Sequence, residues 1–208
     1  VANCSNVLIT EFDEVILSNR LIKIRNVNED SKLIIGTIGG VDIKYKGQQY
    51  VIQALGKLKN DGYTNFEYQL VGGGEQSFLR RVAERYGVTQ QIKFLGSMPR
   101  DKVIDWIDNI DIYIQPSITE GLPRALIEAM SRGCPAFGAS SGGIPELLDS
   151  EVVFKAKSVD SLYCLLKATD RELMEKHAKR NFGESKKYNK EIIESRRKKF
   201  LVEFIQNT

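Results

Sequence analysis

The chain reads as an α/β protein with a doubly wound, Rossmann-like parallel sheet. Two observations predict it. From residue 33 onward, short apolar runs alternate with segments of helical spacing, and the apolar runs are nearly continuous. Strand–helix alternation implies parallel strands joined by right-handed crossovers. Unbroken apolar strands are what a sheet buried on both faces requires.

The elements follow in order. LIIGTIGG (33–40) is the first strand and ends in glycines. QQYVIQALGKLKNDG (48–62) is a helix with Val51, Ile52, Leu55 and Leu58 on one side and Gly62 as its stop. EYQLVGGG (67–74) is the second strand and EQSFLRRVAERYG (75–87) the second helix, with Phe78, Val82 and Tyr86 at i+4 steps. IKFLGSM (92–98) is the third strand, RDKVIDWIDNI (100–110) the third helix, DIYIQPS (111–117) the fourth strand and PRALIEAMSRG (123–133) the fourth helix. CPAFGAS (134–140) is the fifth strand, and VVF (152–154) a short sixth. Two flanks stand outside this alternation. Residues 1–32 hold a charged, helix-like stretch and a linker. Residues 158–182 form one or two helices, and 184–206 another, with Tyr188, Ile192, Phe200 and Phe204 along a line that Arg196 interrupts. Both flanks read as packing material for something beyond the core.

Bulk properties narrow the function classes. The 208 residues are 42% hydrophobic and 27% charged, a globular composition, and the net charge of +3 is too small and too scattered to indicate nucleic acid. No apolar run reaches the roughly 20 residues that span a bilayer. The start, VANCSNVLITEFDEV, lacks Met and the pattern of a signal peptide. Cys4, Cys134 and Cys164 are odd in number and far apart, which reads as reduced, buried thiols in a cytoplasmic protein. No metal site is expected: His177 is the single histidine, in a charged segment where an exposed helix position is expected.

Ligands of open α/β sheets bind at the carboxyl ends of the strands, and five unusual loops fall there: GGVDIKYKG (39–47), GGGE (72–75), GSMP (96–99), PSITEGLPR (116–124) and SSGGIPE (140–146). Pro123 and Pro145 suit first turns of helices. Two helix N-termini together with Lys44 and Lys46 would make a diphosphate site. Each feature also has a plainer account. Gly72–Gly74 is equally a tight turn, since it is neither a G-x-G-x-x-G fingerprint nor part of a P-loop. Lys44 and Lys46 are equally solvated lysines. Glu128, with Arg124 and Arg132 four residues to either side, fits an i,i+4 surface ladder worth about 0.3–0.5 kcal/mol per pair. Only convergence on one rim favours a site.

EGLPRALIE (120–128) fits the E-x7-E motif of retaining GT-B glycosyltransferases. Lys32 to Asp149 resembles the C-terminal, donor-binding domain of family 4, the glycosyltransferases group 1. KGQQYVIQAL (46–55), YQLVGGGEQSFL (68–79), IKFLGSMPRDKV (92–103), DIYIQPSITEGLPRALIEAMSRGCPAF (111–137) and GGIPELL (142–148) occur in the family's order. The resemblance implies a role for each residue. Glu120 would lie against the donor sugar. The loop Gly121, Leu122, Pro123 and Arg124 would turn main-chain N–H groups toward sugar and diphosphate. Glu128 would accept the ribose hydroxyls, and Lys46 would neutralise the leaving diphosphate. Gly39, Gly40, Gly72 and Gly73 would border the donor, and Leu95 to Met98 would form the base edge. The family's G-R-[LF] is absent: Gly40 stands where its arginine is expected, and Lys44 is the candidate substitute.

The implied reaction moves a sugar from a nucleoside diphosphate, UDP- or GDP-linked, to a hydroxyl of a glycan or lipid-linked acceptor, with retention and without metal or other cofactor. It belongs to polysaccharide or glycan biosynthesis. The implied organisation is a linker and remnant of an N-terminal acceptor domain (1–32), a donor-binding domain (33–182) and a terminal helix (184–208) that packs on a missing N-terminal GT-B domain. Such a fragment would bind donor weakly and not turn over alone. A nucleotide-sugar-binding module without turnover and a GT-B epimerase are the alternatives. The epimerase would need further acids, bases and histidines, and a two-carboxylate glycosidase would need its acids across a cleft. The basic run SRRKKF (195–200) reads as a solvated face, with contact to anionic lipid as the alternative.

Overall fold

A computed structural model describes residue 9, residues 12–28, 31–195, 198 and 202. Six parallel strands form one sheet in the order β3-β2-β1-β4-β5-β6: β1 Leu33–Ile38, β2 Phe66–Val71, β3 Ile92–Gly96, β4 Ile112–Gln115, β5 Ala136–Ala139 and β6 Val153–Phe154. The order reverses between β1 and β4, which opens a crevice at their carboxyl ends. The strands are shorter than the apolar runs that announce them, because the trailing glycines and prolines belong to the rim loops.

Helices line both faces. α2 (Gln48–Asn60) packs beside α3 (Ser77–Arg85) and α7 (Val159–Lys167). Its apolar stripe Val51, Ile52, Leu55 and Leu58 is buried as expected. In α3 the innermost positions are Leu79 and Ala83; Phe78 and Val82 flank them and Tyr86 is exposed. α4 (Arg100–Asn109) and α5 (Arg124–Ser131) follow β3 and β4, and a short α6 (Ile144–Leu147) follows β5.

The flanks pack on this sheet domain. α1 (Glu14–Arg25) and α8 (Arg171–Ser185) lie together, and α8 lies on α5. α1 buries only Arg20 and Ile24. It is held through charge instead: Arg20 donates to the Ile107 and Ile110 carbonyls at 2.7 and 2.6 Å, and Lys23 reaches the Ile110 carbonyl at 2.8 Å and Asp111 at 3.0 Å. These cations satisfy the carbonyls that end α4, which have no partner within their own helix.

Three expectations are corrected. His177 is fully buried, with Nε2 3.1 Å from Glu151. Burial holds its pKa below the ordinary value against the pull of Glu151. Cys164 is exposed, whereas Cys134 is buried; Cys4 lies outside the described residues. The segment from 184 is not one helix. α8 ends at Ser185, a turn spans Lys186–Tyr188, Asn189 bridges to Ile9, and helix resumes at 190–195. There Ile193 is buried and Ile192 exposed. Arg196, Phe200, Phe204 and most of the basic run lie outside the described residues. Among the described residues, no helix is long and apolar enough to cross a membrane.

Candidate functional site

A cleft of about 490 Å³ opens where β1 and β4 part. One wall is Ile38 and Gly39 at the end of β1 with Lys46 beyond. Another is Gln115, Glu120 and the start of α5, through Leu122, Pro123, Arg124, Ala125 and Glu128. Met98, Arg100 and Val103 close the third side.

Close backbone contact brings the first two walls together. Gly47 has a φ of +77°, and a Cβ there would sit 1.9 Å from the Pro116 carbonyl oxygen. Only glycine permits that approach. The Ile118 N–H then donates to the Tyr45 carbonyl at 2.7 Å, and Lys46 pairs with Glu120 at 2.8 Å. The loop after β5 is the buttress. Its Ser141 hydroxyl donates to the Ser117 carbonyl at 2.8 Å, its Gly143 N–H donates to Gly121 at 2.9 Å, and a Cβ on Gly142 would fall 1.6 Å from the Glu120 carbonyl oxygen. SSGGIPE thus shapes the site from behind and does not line it.

α5 begins after Pro123, and no side chain caps it. The unpaired N–H groups of its first turn make this end of the helix attractive to an anion. Glu128 stands one turn further along. It does not form an i,i+4 ladder with Arg132: Arg132 pairs with Asp108 at 2.6 Å, and Glu128 faces Arg100 of α4 at 3.8 Å. Burial raises the Glu128 carboxyl above its usual range, while Arg100 and Arg124 oppose that rise.

The remaining predicted residues divide. Gly121 is exposed beside the lining residues. Gly40 lies one residue past the lining Gly39, with its carbonyl bonded by Gln48 at 3.3 Å. Gly72 and Gly73 bind neighbouring loops: Gly72 N–H donates to Gly96 at 2.8 Å, and Gly73 accepts from Val41 at 3.0 Å. Lys44 is exposed, its ammonium 5.0 Å from the Phe78 ring centroid, and does not line the cleft. Leu95 is exposed on β3 away from the lining residues, whereas Met98 lines the cleft. Gln115, Arg100 and Val103 are lining residues that the sequence reading did not single out. Gln115 carried a signal, as a polar residue inside the apolar fourth strand.

The domain is of the doubly wound α/β class, with its cleft at the switch point where such sheets bind their ligands. The family follows from comparison: residues 19–199 match the family described as "Glycosyl transferases group 1", and the chain belongs to it. The chain is 34% identical over 186 residues to "Protein CapJ" of Staphylococcus aureus, covering 86% of this chain and 46% of that protein. It is 34% identical over 113 residues to the "Putative colanic acid biosynthesis glycosyltransferase WcaL" of Escherichia coli (strain K12), covering 51% of this chain and 28% of that one. Among solved structures, it resembles WaaG, "a glycosyltransferase involved in lipopolysaccharide biosynthesis", with a TM-score of 0.75 at 19% identity over 94% of this chain and 54% of that one. It also resembles Anabaena Alr3699/HepE, with a TM-score of 0.72 at 18% identity over 98% of this chain and 57% of the other. These likenesses are of fold: the sheet and its helices match the C-terminal domains of GT-B glycosyltransferases. The chain spans under half the length of these curated relatives and just over half of these solved ones.

Proposed function

We propose that this chain supplies the donor-binding half of a retaining glycosyltransferase of family 4 that moves a sugar from a nucleoside diphosphate to an acceptor hydroxyl. The observation that carries the reading is one cleft bearing the Lys46–Glu120 pair, the uncapped start of α5 and Glu128 one turn deeper. A diphosphate beside Lys46 meets a cation and main-chain N–H groups, both of which stabilise the charge that develops as the diphosphate departs. Glu120 then receives hydroxyls of the sugar. Glu128 accepts the vicinal hydroxyls of a ribose, a fitting load for one carboxylate. Met98 and Arg100 border the end where the base falls, and Gly39 and the Gly121–Arg124 loop border the diphosphate. Neutralisation rests on these groups with no metal assigned. HepE, solved in complex with UDP and glucose, supports a uridine donor by likeness of fold. The acceptor, a glycan or lipid-linked hydroxyl, falls to an N-terminal GT-B domain such as the longer relatives have room for.

A thermal-shift panel of UDP, GDP and ADP, each with and without a sugar, tests this. A ligand at a hundred times its Kd adds about 2.7 kcal/mol of stability. Glu128→Ala is expected to remove the part of the shift that depends on the nucleoside, and Glu120→Ala to change the preference among sugars. Absence of any nucleotide-dependent shift in the wild-type chain would overturn the assignment.

A further inference from the structure

Behind Glu120 runs a buried line of polar side chains. Tyr113, Gln115 and Ser117 occupy alternate positions along β4 and its extension, so their side chains share one side of the strand. Tyr113 Oη donates to Gln115 Oε1 at 2.8 Å, Gln115 Nε2 donates to Ser117 Oγ at 2.9 Å, and Ser117 Oγ donates to Glu120 Oε2 at 3.0 Å. All three are 2% exposed or less. Polar side chains in so apolar a strand cost stability unless every donor and acceptor is used.

The line has a direction. Glu120, as a carboxylate, only accepts, so the Ser117 hydroxyl donates to it and Ser117 in turn accepts from Gln115 Nε2. That fixes the amide with its oxygen toward Tyr113 and its NH2 toward Ser117. The serine oxygen is then occupied as an acceptor, and its own proton has one destination, Glu120. Were the amide reversed, Ser117 would donate back into Gln115 and Glu120 would lose this bond. Lys46 and Ser117 both bond Oε2 of Glu120. Among the described hydrogen bonds Oε1 takes none, which reserves it for an incoming hydroxyl.

We infer that Tyr113, Gln115 and Ser117 are positioning residues that hold Glu120 to receive the donor's sugar. The chain orients one carboxylate so that binding a sugar does not have to restrain it at that moment, the general advantage of a preorganised site. The inference rests on the reading of Glu120 as the sugar-facing carboxylate, and it assigns this sugar selectivity to residues that never touch the sugar.

The test is calorimetric titration of the full chain with UDP against UDP-glucose, and GDP against GDP-mannose, taking the pair that binds the wild type. The quantity read is the ratio of the two Kd values. Ser117→Ala is expected to lower the sugar's advantage on the order of tenfold, the worth of one hydrogen bond to a charged group. Tyr113→Phe, which removes a single oxygen, is expected to lower it about threefold, and Ser117→Thr, which keeps the hydroxyl, to restore most of it. Affinity for the sugarless nucleotide is expected to stay unchanged in all three. In a Glu120→Ala background the effects of Tyr113→Phe and Ser117→Ala are expected to vanish, because coupled residues act through one another. Effects that persist in that background, or a ratio unmoved by both single variants, would refute the positioning role while leaving Glu120 in place. A ratio unmoved by Glu120→Ala itself would overturn the site reading and this inference with it.

Discussion

Two lysine–carboxylate pairs sit at opposite ends of the same sheet. Lys23 and Asp111 lie 3.0 Å apart where β4 begins, and Lys46 and Glu120 lie 2.8 Å apart beyond its carboxyl end. By distance they are alike; by what surrounds them they differ. Asp111 is 5% exposed, and its second oxygen accepts the Ile34 N–H at 2.7 Å. Lys23 spends further donors on the carbonyls ending α4, alongside Arg20. Burial lowers the Lys23 pKa against the pull of Asp111. Glu120 opens on a cleft, with both its described bonds on one oxygen. A saturated pair ties elements together, and a pair with capacity left over can exchange partners with a ligand.

The largest effect expected from breaking this comparison is at the saturated end. Asp111→Ala removes the buried member of the pair and orphans the Ile34 N–H. A loss of about 1–3 kcal/mol, the cost of a buried donor left unsatisfied, is expected in urea unfolding, with nucleotide affinity of the folded protein unchanged. A loss below about 1 kcal/mol would show that the two pairs are alike after all. At the open end the pattern inverts. Lys46→Ala is expected to change stability by no more than about 1 kcal/mol and to weaken nucleoside diphosphate binding on the order of tenfold. Equal binding by variant and wild type would remove Lys46 from the site.

The smallest effect concerns pH. Burial raises the folded pKa of Glu128 above its ordinary 4.5. The folded chain therefore holds this proton more tightly than the unfolded chain. Its contribution favours folding at acid pH and is lost as pH rises from 4.5 through the folded value. Glu128→Gln carries no such linkage, so the Tm of the variant minus that of the wild type is expected to grow more positive between about pH 4 and about pH 7. A difference flat across that range would contradict the burial of this carboxylate. The same variant is expected to bind nucleoside less tightly, because an amide accepts fewer hydroxyl bonds than a carboxylate.

Much of this molecule was legible in its residues. Apolar runs alternating with helical stripes specify a parallel sheet because each strand must bury two faces and each helix one. The switch-point rule then places the glycine- and proline-bearing loops on a common rim. Lys46 could be proposed for that reason, Glu120 and Glu128 through the resemblance of EGLPRALIE to the E-x7-E motif, and the structure gathers all three in one cleft. What the residues left open concerns partners distant in the chain. Whether Glu128 faces Arg132 or Arg100 depends on how α4 lies beside α5, and the structure places Arg132 on Asp108 and Arg100 by Glu128. α1 has no apolar stripe to reveal its docking, since its hold is Arg20 and Lys23 on carbonyls some ninety positions away. His177 sits in a charged text yet is buried, because α8 turns that side of the helix inward. Periodicity is a local property and reports which face is buried. Hydrogen bonds and ion pairs are made between atoms a few ångströms apart, and only the folded chain decides which atoms those are.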